Sequence, residues 1–390
     1  MLANSNTQRL VDQFITMAKI SSPSRQEGRL AAYLRTELEA LGFLVEADAA
    51  GELAGGDTGN LIATLPGTTD AEPLLFSCHM DTVTPCIGVV PVIKNGVIRS
   101  DGTTILGGDD KAGIAAILEG VRRIRERDVA HGLIQAVFTI CEEVGMHGAI
   151  GLDYSKVKAT RAFILDADGP IGQILVRGPA KDAIHAVIQG RSAHAGLKPE
   201  AGISAIQVAA RAIERMKLLR IDEETTANLG QIAGGGATNI VTDRVEITAE
   251  ARSLTNDKLD AQGAHMKACF EDAAREFGAT AEVTIERSYY AFSLDADEPV
   301  VRHCAAAMRH LGLTPTLAST GGGSDCNVFN RHGMKAVDLS IGMTDVHTCK
   351  ESLRVDDLEM TARLVEALIE FNDHAFSIQR QEQIPTATAS

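Results

Sequence analysis

Short apolar runs at residues 74–77, 133–140 and 162–165 each lead straight into residues that bind cations or move protons. The first continues as Cys78-His79-Met80-Asp81, the second as Cys141-Glu142-Glu143, the third as Asp166-Ala167-Asp168-Gly169. Apolar runs of this length, alternating with helical patterns, read as buried strands of a largely parallel α/β sheet. Ligands of such sheets gather beyond the carboxyl ends of the strands. One sheet would therefore deliver His79, Glu142, Glu143 and Asp166 to a common edge.

A second feature bears on the same edge. Gly107-Gly108-Asp109-Asp110-Lys111-Ala112-Gly113 precedes a helical pattern with Ile114, Ile117, Leu118, Val121 and Ile124 on one face. Adjacent carboxylates repel and are costly to bury unless a cation lies beside them. Lys111 offsets part of that charge, and a divalent metal would offset more. One of the two aspartates could bridge a pair of ions, as dinuclear hydrolases require, or could cap the helix.

The other residues carry similar alternatives. His79 reads as a zinc ligand, its tautomer fixed by Asp81, or as a hydrogen-bonded core histidine. Glu142-Glu143 pairs a ligand with a general base, or is a solvated acidic pair. Asp166 is the preferred ligand of its segment. Asp168 could serve instead, or could be a turn residue before Gly169. His347, in Asp345-Val346-His347-Thr348, is a further ligand candidate. Two histidines with several carboxylates suit catalytic zinc or a related ion, and the spacing is not that of a zinc finger. Neither a Gly-x-Ser-x-Gly elbow nor a P-loop is present, and Gly234-Gly235-Gly236 and Gly321-Gly322-Gly323 do not make a dinucleotide fingerprint.

The pattern changes after Gly178-Pro179. Strand, helix, strand, strand, helix and strand signals follow in that order from residue 182 to residue 286, which is the ferredoxin-like sequence of elements. The expected organisation is a catalytic domain in two parts, 1–178 and 291–380, with a smaller α+β domain inserted at 179–290. A polar tail at 381–390 is expected to fray.

Composition narrows the partners. A formal net charge of −15 disfavours nucleic acid and anionic membrane surfaces, both of which call for clustered Lys and Arg. Seven cysteines without a CxxC pair read as reduced thiols. With no signal-peptide pattern at residues 1–10 and no run long enough to span a bilayer, the expected location is cytoplasmic.

Taken together, His79-Met80-Asp81-Thr82-Val83, the Gly107–Gly113 stretch, Glu142-Glu143-Val144-Gly145 and the late His347 resemble the dinuclear zinc exopeptidases. The Asp-Asp-Lys-Ala-Gly form and Leu165-Asp166-Ala167-Asp168-Gly169-Pro170 are most similar to the peptidase T-like branch. The resemblance covers nearly the whole chain. It implies a mixed, largely parallel sheet sandwiched by helices, with the inserted domain acting as a lid and as the contact of a homodimer.

It also implies a division of roles. Asp109 would bridge two divalent ions, zinc first, with manganese or cobalt as alternatives. His79 and Asp166 would complete one site, and Glu143 and His347 the other. Asp81 would orient His79, and Glu142 would be the base acting on a metal-bound water. The bond after Asp109 would be cis, with Asp110 turned away from the metals. In the lid, Ser192-Ala193-His194-Ala195-Gly196 resembles the segment whose histidine stabilises the tetrahedral intermediate. Asn239 and Arg252 would bind substrate oxygens and a carboxylate, and Gly322 and Gly323 would lie near the substrate. The expected activity is aminopeptidase cleavage of short peptides. A carboxypeptidase, an N-acyl amino acid amidohydrolase, or a non-catalytic binding protein on the same fold are the alternatives.

Overall fold

The computed structural model of the chain describes residues 5–372. Its contacts divide into two compact units. One comprises the chain up to Val176, Leu294–Ser319 and the chain from Ser324 onward; the other comprises Arg177–Ser293 with Thr320–Gly323.

The first unit is built on a mixed sheet. Its central strand, Leu74–His79, is buried along its whole length and runs parallel to both neighbours, Ile134–Thr139 and Arg161–Ala167. Lys335–Ser340 continues the parallel set. Antiparallel strands flank it: Leu61–Leu65 and Leu44–Ala47 on one side, Gln173–Gly178 on the other. Strands covered on both faces must be apolar throughout, which is why these read as continuous runs rather than alternating ones.

The helix Gly108–Glu126 packs on the Leu74–His79 and Arg161–Ala167 strands and against the helices Ser5–Ala18 and Val355–Glu370. Glycines permit this close approach. A Cβ at Gly113 would lie 2.4 Å from the Leu165 carbonyl oxygen, and one at Gly120 would lie 2.7 Å from Val365 Cγ1. The sequence pattern extends the closing helix to residue 376; the helix ends at Glu370, and 373–376 lie outside the described residues, as does the 381–390 tail. A small sheet of Val92–Lys94, Val97–Arg99 and Ser352–Arg354 has no counterpart in the sequence reading. Strands this short carry too few residues for a period to register.

The second unit is an antiparallel sheet in the order Thr225–Gly234, Arg244–Ser253, Ala180–Gln189, Thr280–Tyr289. The helices Ala205–Arg215 and Asn256–Phe277 pack on it, with Ile184, Ile188, Val208, Ile247 and Phe270 buried between. This is the ferredoxin-like arrangement. Gly322 and Gly323, expected with residues 291–380, group with this unit instead. The reason is local. The Thr320 N–H donates to the Arg177 carbonyl at 3.0 Å, and Gly323 lies so close to the Tyr289 ring that a Cβ there would sit 2.4 Å from it.

Candidate metal centre and active site

Strand register assembles the centre. His79 ends its strand, and Asp166 lies two residues beyond the Ser77–Ile164 pair of the adjacent parallel strand. Asp166 is thus within the Arg161–Ala167 strand rather than after it, and its Oδ1 is 3.3 Å from His79 Nε2. Asp168, past the strand end, is exposed. Asp109 lies at the start of the helix, in non-helical backbone just after Gly107, whose φ is +75°. Its Oδ1 is 2.8 Å from His79 Nε2 and its Oδ2 is 3.1 Å from His347 Nε2. His347 Nε2 is also 3.0 Å from Glu143 Oε2. A carboxylate with one histidine on each oxygen could bridge two cations.

The bond between Asp109 and Asp110 is cis. Asp110 does not turn away from the ligands as expected. It is fully buried, its Oδ2 accepts the His79 backbone N–H at 3.3 Å, and its carboxylate groups with the donor atoms of His79 and Asp166 within 4.8 Å. Burial, with the charge of Asp166 beside it, pushes its pKa well above the usual carboxylate range. Burial and the neighbouring charge both favour its neutral form. Asp109 has the stronger claim as a bridge, because among the described residues only its two oxygens face two histidines.

Asp81 meets His79 mainly through its backbone carbonyl rather than, as expected, its carboxylate. His79 Nδ1 bonds the Asp81 carbonyl at 2.9 Å, while the Asp81 carboxylate is 3.5 Å away. That carboxylate accepts the Glu142 and Glu143 N–H groups and the Ser24 hydroxyl instead. Glu27, also buried, accepts the Cys141 N–H at 3.0 Å, and Cys141 holds a φ of +53°. The turn presenting Glu142 and Glu143 is thus clamped by two buried carboxylates.

The electrostatics are those of a crowded acidic cluster. Burial opposes a charged imidazole at His79, but Asp166, Asp109 and Asp81 outweigh it and raise its pKa well above the ordinary value. Burial pushes Asp166 up to about 6, with Asp109 and Glu143 adding to it against the pull of His79. Hydrogen bonds from His347 and His79 hold Asp109 below the usual range despite its burial. Bonds to Asp109 and Glu143 push His347 up to about 10. Burial raises Glu142 strongly.

Glu143 turns one oxygen to His347 and leaves Oε1 buried with no hydrogen-bond partner among the described residues. A cation satisfies both the unmatched acceptor and the repulsion around it. The mixed N/O donor set fits divalent ions of the zinc, manganese or cobalt kind.

Other placements differ from expectation or were passed over. Lys111 is buried and donates to the Ile20 carbonyl at 2.8 Å rather than pairing with its neighbouring aspartates, and burial lowers its pKa to about 8. Asp325 accepts the Thr139 hydroxyl at 2.5 Å, and Thr139 is the register partner of His79. Burial pushes Asp325 up to about 7.

In the second unit, His194 and Ile240 form an isolated antiparallel bridge, and the Ala195 N–H donates to the Asn239 carbonyl at 2.8 Å. The His194 and Asn239 segments therefore lie side by side. Arg252 is already engaged, with Glu250 at 2.9 Å and with the Gly321 carbonyl at 3.2 Å.

Residues 75–370 match the family described as Peptidase family M20/M25/M40. Protein YqjE of Bacillus subtilis (strain 168) is 44% identical over 365 residues, covering 94% of this chain and 98% of that protein. The crystal structure of aminopeptidase PepT from Bacillus cereus ATCC 10987 superposes with a TM-score of 0.89 at 44% identity, over 94% of this chain and 99% of that one. That of a tripeptidase from Staphylococcus aureus subsp. aureus Mu50 gives a TM-score of 0.92 at 40% identity, again over 94% and 99%.

Proposed function

This chain belongs to Peptidase family M20/M25/M40 and is a metallopeptidase, and we propose that it is an aminopeptidase cleaving short peptides, tripeptides among them. The observation that carries this reading is Asp109 set between His79 and His347, 2.8 Å and 3.1 Å from their Nε2 atoms. The similarity to an aminopeptidase and a tripeptidase supports the substrate class.

His79 and Asp166 would hold one divalent ion and Glu143 and His347 the other, with Asp109 shared between them. Such ions, zinc before manganese or cobalt, would supply acidification of a water and polarisation of the scissile carbonyl. Glu142 takes the proton of the attacking water and returns it to the leaving amine. Its raised proton affinity and its clamped backbone support that role.

His194 stabilises the developing oxyanion. In support, His194 Nδ1 accepts the Gly196 and Leu197 N–H groups at 3.2 Å each, so the neutral ring carries its proton on Nε2 as a donor. Asn239, Arg252, Gly322 and Gly323 contact the substrate, with Arg252 held by Glu250 as it does so. A homodimer through the second unit completes the reading; the resemblance of the Ser192–Gly196 segment supports it.

The test is a peptide panel on chelator-treated protein with zinc, manganese or cobalt added back. Free tripeptides are expected to be cleaved from the amino end and amino-acetylated ones spared. Preferred cleavage of amino-blocked peptides or N-acyl amino acids would replace this reading with a carboxypeptidase or amidohydrolase. No hydrolysis under any metal would leave a binding protein.

A further inference from the structure

The segment that brings His347 to the centre grips Asp109 in two places. It is a loop closed at its base, where Thr344 and Ser352 exchange both backbone hydrogen bonds at 3.0 Å and their hydroxyls meet at 2.8 Å. Beyond the base, the chain from Ser352 to Arg354 pairs with Val97–Arg99, which fixes the exit of the loop. At the tip, His347 holds a φ of +63° and meets the Asp109 carboxylate and Glu143.

Just before the base, Glu351 reaches the backbone on the other side of the same aspartate. Its Oε2 accepts the N–H groups of Leu106 at 2.8 Å and Gly107 at 2.9 Å, and its Oε1 accepts the Asp109 N–H at 2.9 Å. Glu351 is 2% exposed. The approach is tight enough that a Cβ at Gly108 would lie 2.9 Å from Glu351 Oε1.

Bonds from backbone N–H groups to a buried carboxylate are short, strong and directional. With three of them, Glu351 fixes the 105–106, 106–107 and 108–109 peptide planes, and the last of these helps set where the Asp109 side chain points. A ligand must be held within about half an ångström of its productive position by groups outside the ligand set.

We propose that Glu351 is a positioning residue for the metal centre: it aims Asp109 as the bridge and ties that aim to the placement of His347, so that both are set by one loop. The inference rests on the dinuclear reading above. Glu351 touches neither substrate nor ion and acts through Asp109.

The variants Glu351→Gln and Glu351→Asp test it. The first keeps the shape but turns an amide N–H₂ toward backbone donors. The second keeps the charge but is one methylene too short to reach all three N–H groups. Zinc affinity is measured by calorimetry on chelator-stripped protein, beside the melting temperature of the metal-free protein and tripeptide kcat at limiting and at excess zinc.

Either variant is expected to bind zinc about 10–100-fold more weakly than wild type. Excess zinc should restore much of kcat. Should one variant fail to fold, the other is judged by the same criterion. Wild-type zinc affinity in a folded variant, with only the metal-free melting temperature lowered, would overturn the inference and leave Glu351 a structural staple. Wild-type protein that binds zinc but cleaves no peptide would sink the aminopeptidase reading and leave this comparison standing. Wild-type protein that binds none of zinc, manganese or cobalt would overturn both.

Discussion

Asp81 holds the backbone of Glu142, its Oδ1 accepting the Glu142 N–H at 2.9 Å while its own carbonyl receives His79 Nδ1 at the same distance. One residue thus ties the strand end that presents the first histidine to the turn that presents the proposed base. Asp81→Asn keeps the carbonyl but leaves one side-chain acceptor for the Glu142 N–H, the Glu143 N–H and the Ser24 hydroxyl. We expect kcat/KM for a tripeptide to fall about 10–100-fold, the usual cost of removing an outer-shell partner at a metal site. A variant within twofold of wild type would show that this clamp does not matter.

Gly113 lies under the centre, where the helix meets the sheet. A Cβ there would come within 2.4 Å of the Leu165 carbonyl, 2.6 Å of Asp110 Oδ1 and 2.6 Å of Cys78 Sγ. The backbone of the Asp166 strand cannot give way without moving a proposed ligand. Gly113→Ala is therefore expected to destabilise the fold by about 1–3 kcal/mol through overpacking, and to weaken metal binding with it. Urea unfolding and zinc calorimetry check both. An unchanged midpoint would contradict the tight contact.

His303 supplies a pH dependence remote from the proposed ligands. It is 2% exposed, packs edge-on against Phe163, and its Nε2 donates to the Leu368 carbonyl at 2.8 Å. Burial lowers its pKa from 6.5 to about 4, with Arg161 adding to the effect. Between those values the unfolded chain binds more protons than the folded one, so stability falls as pH drops through that window. From pH 7 to pH 5 this one group removes about 2 kcal/mol. His303→Gln has no proton to take up. Urea unfolding of metal-free protein at both pH values should show wild type losing about 2 kcal/mol more than the variant. Parallel losses would refute the assignment.

Much of the centre was legible because its residues follow apolar runs directly. His79, Glu142 and Glu143 could be placed by finding where a strand stops. Asp166 and Asp168 could not be separated that way, since the choice depends on register against the strand bearing His79, a pairing that no local pattern records. The place of Asp110 beside His79 and Asp166 depends on its burial, which no local pattern records.

The pairing of Arg252 with Glu250 was readable in principle, since residues two apart share a face of a strand. Glu351 was not. Its partners lie 242 to 245 positions away, and nothing in its neighbourhood distinguishes it from a solvated acid. Grouping Gly322 and Gly323 with the second unit likewise depends on Tyr289, a contact that only the folded chain reveals.

The most direct test of the account is to count bound metal and measure tripeptide turnover on the same samples of wild type and Glu142→Ala. The account predicts two divalent ions per chain in both proteins. Turnover should fall by about 10²–10⁴-fold in the variant, since only the proton-transfer group is lost. A variant that loses its metal would make Glu142 a ligand. One that keeps near wild-type turnover would contradict the proposed base and the mechanism built on it.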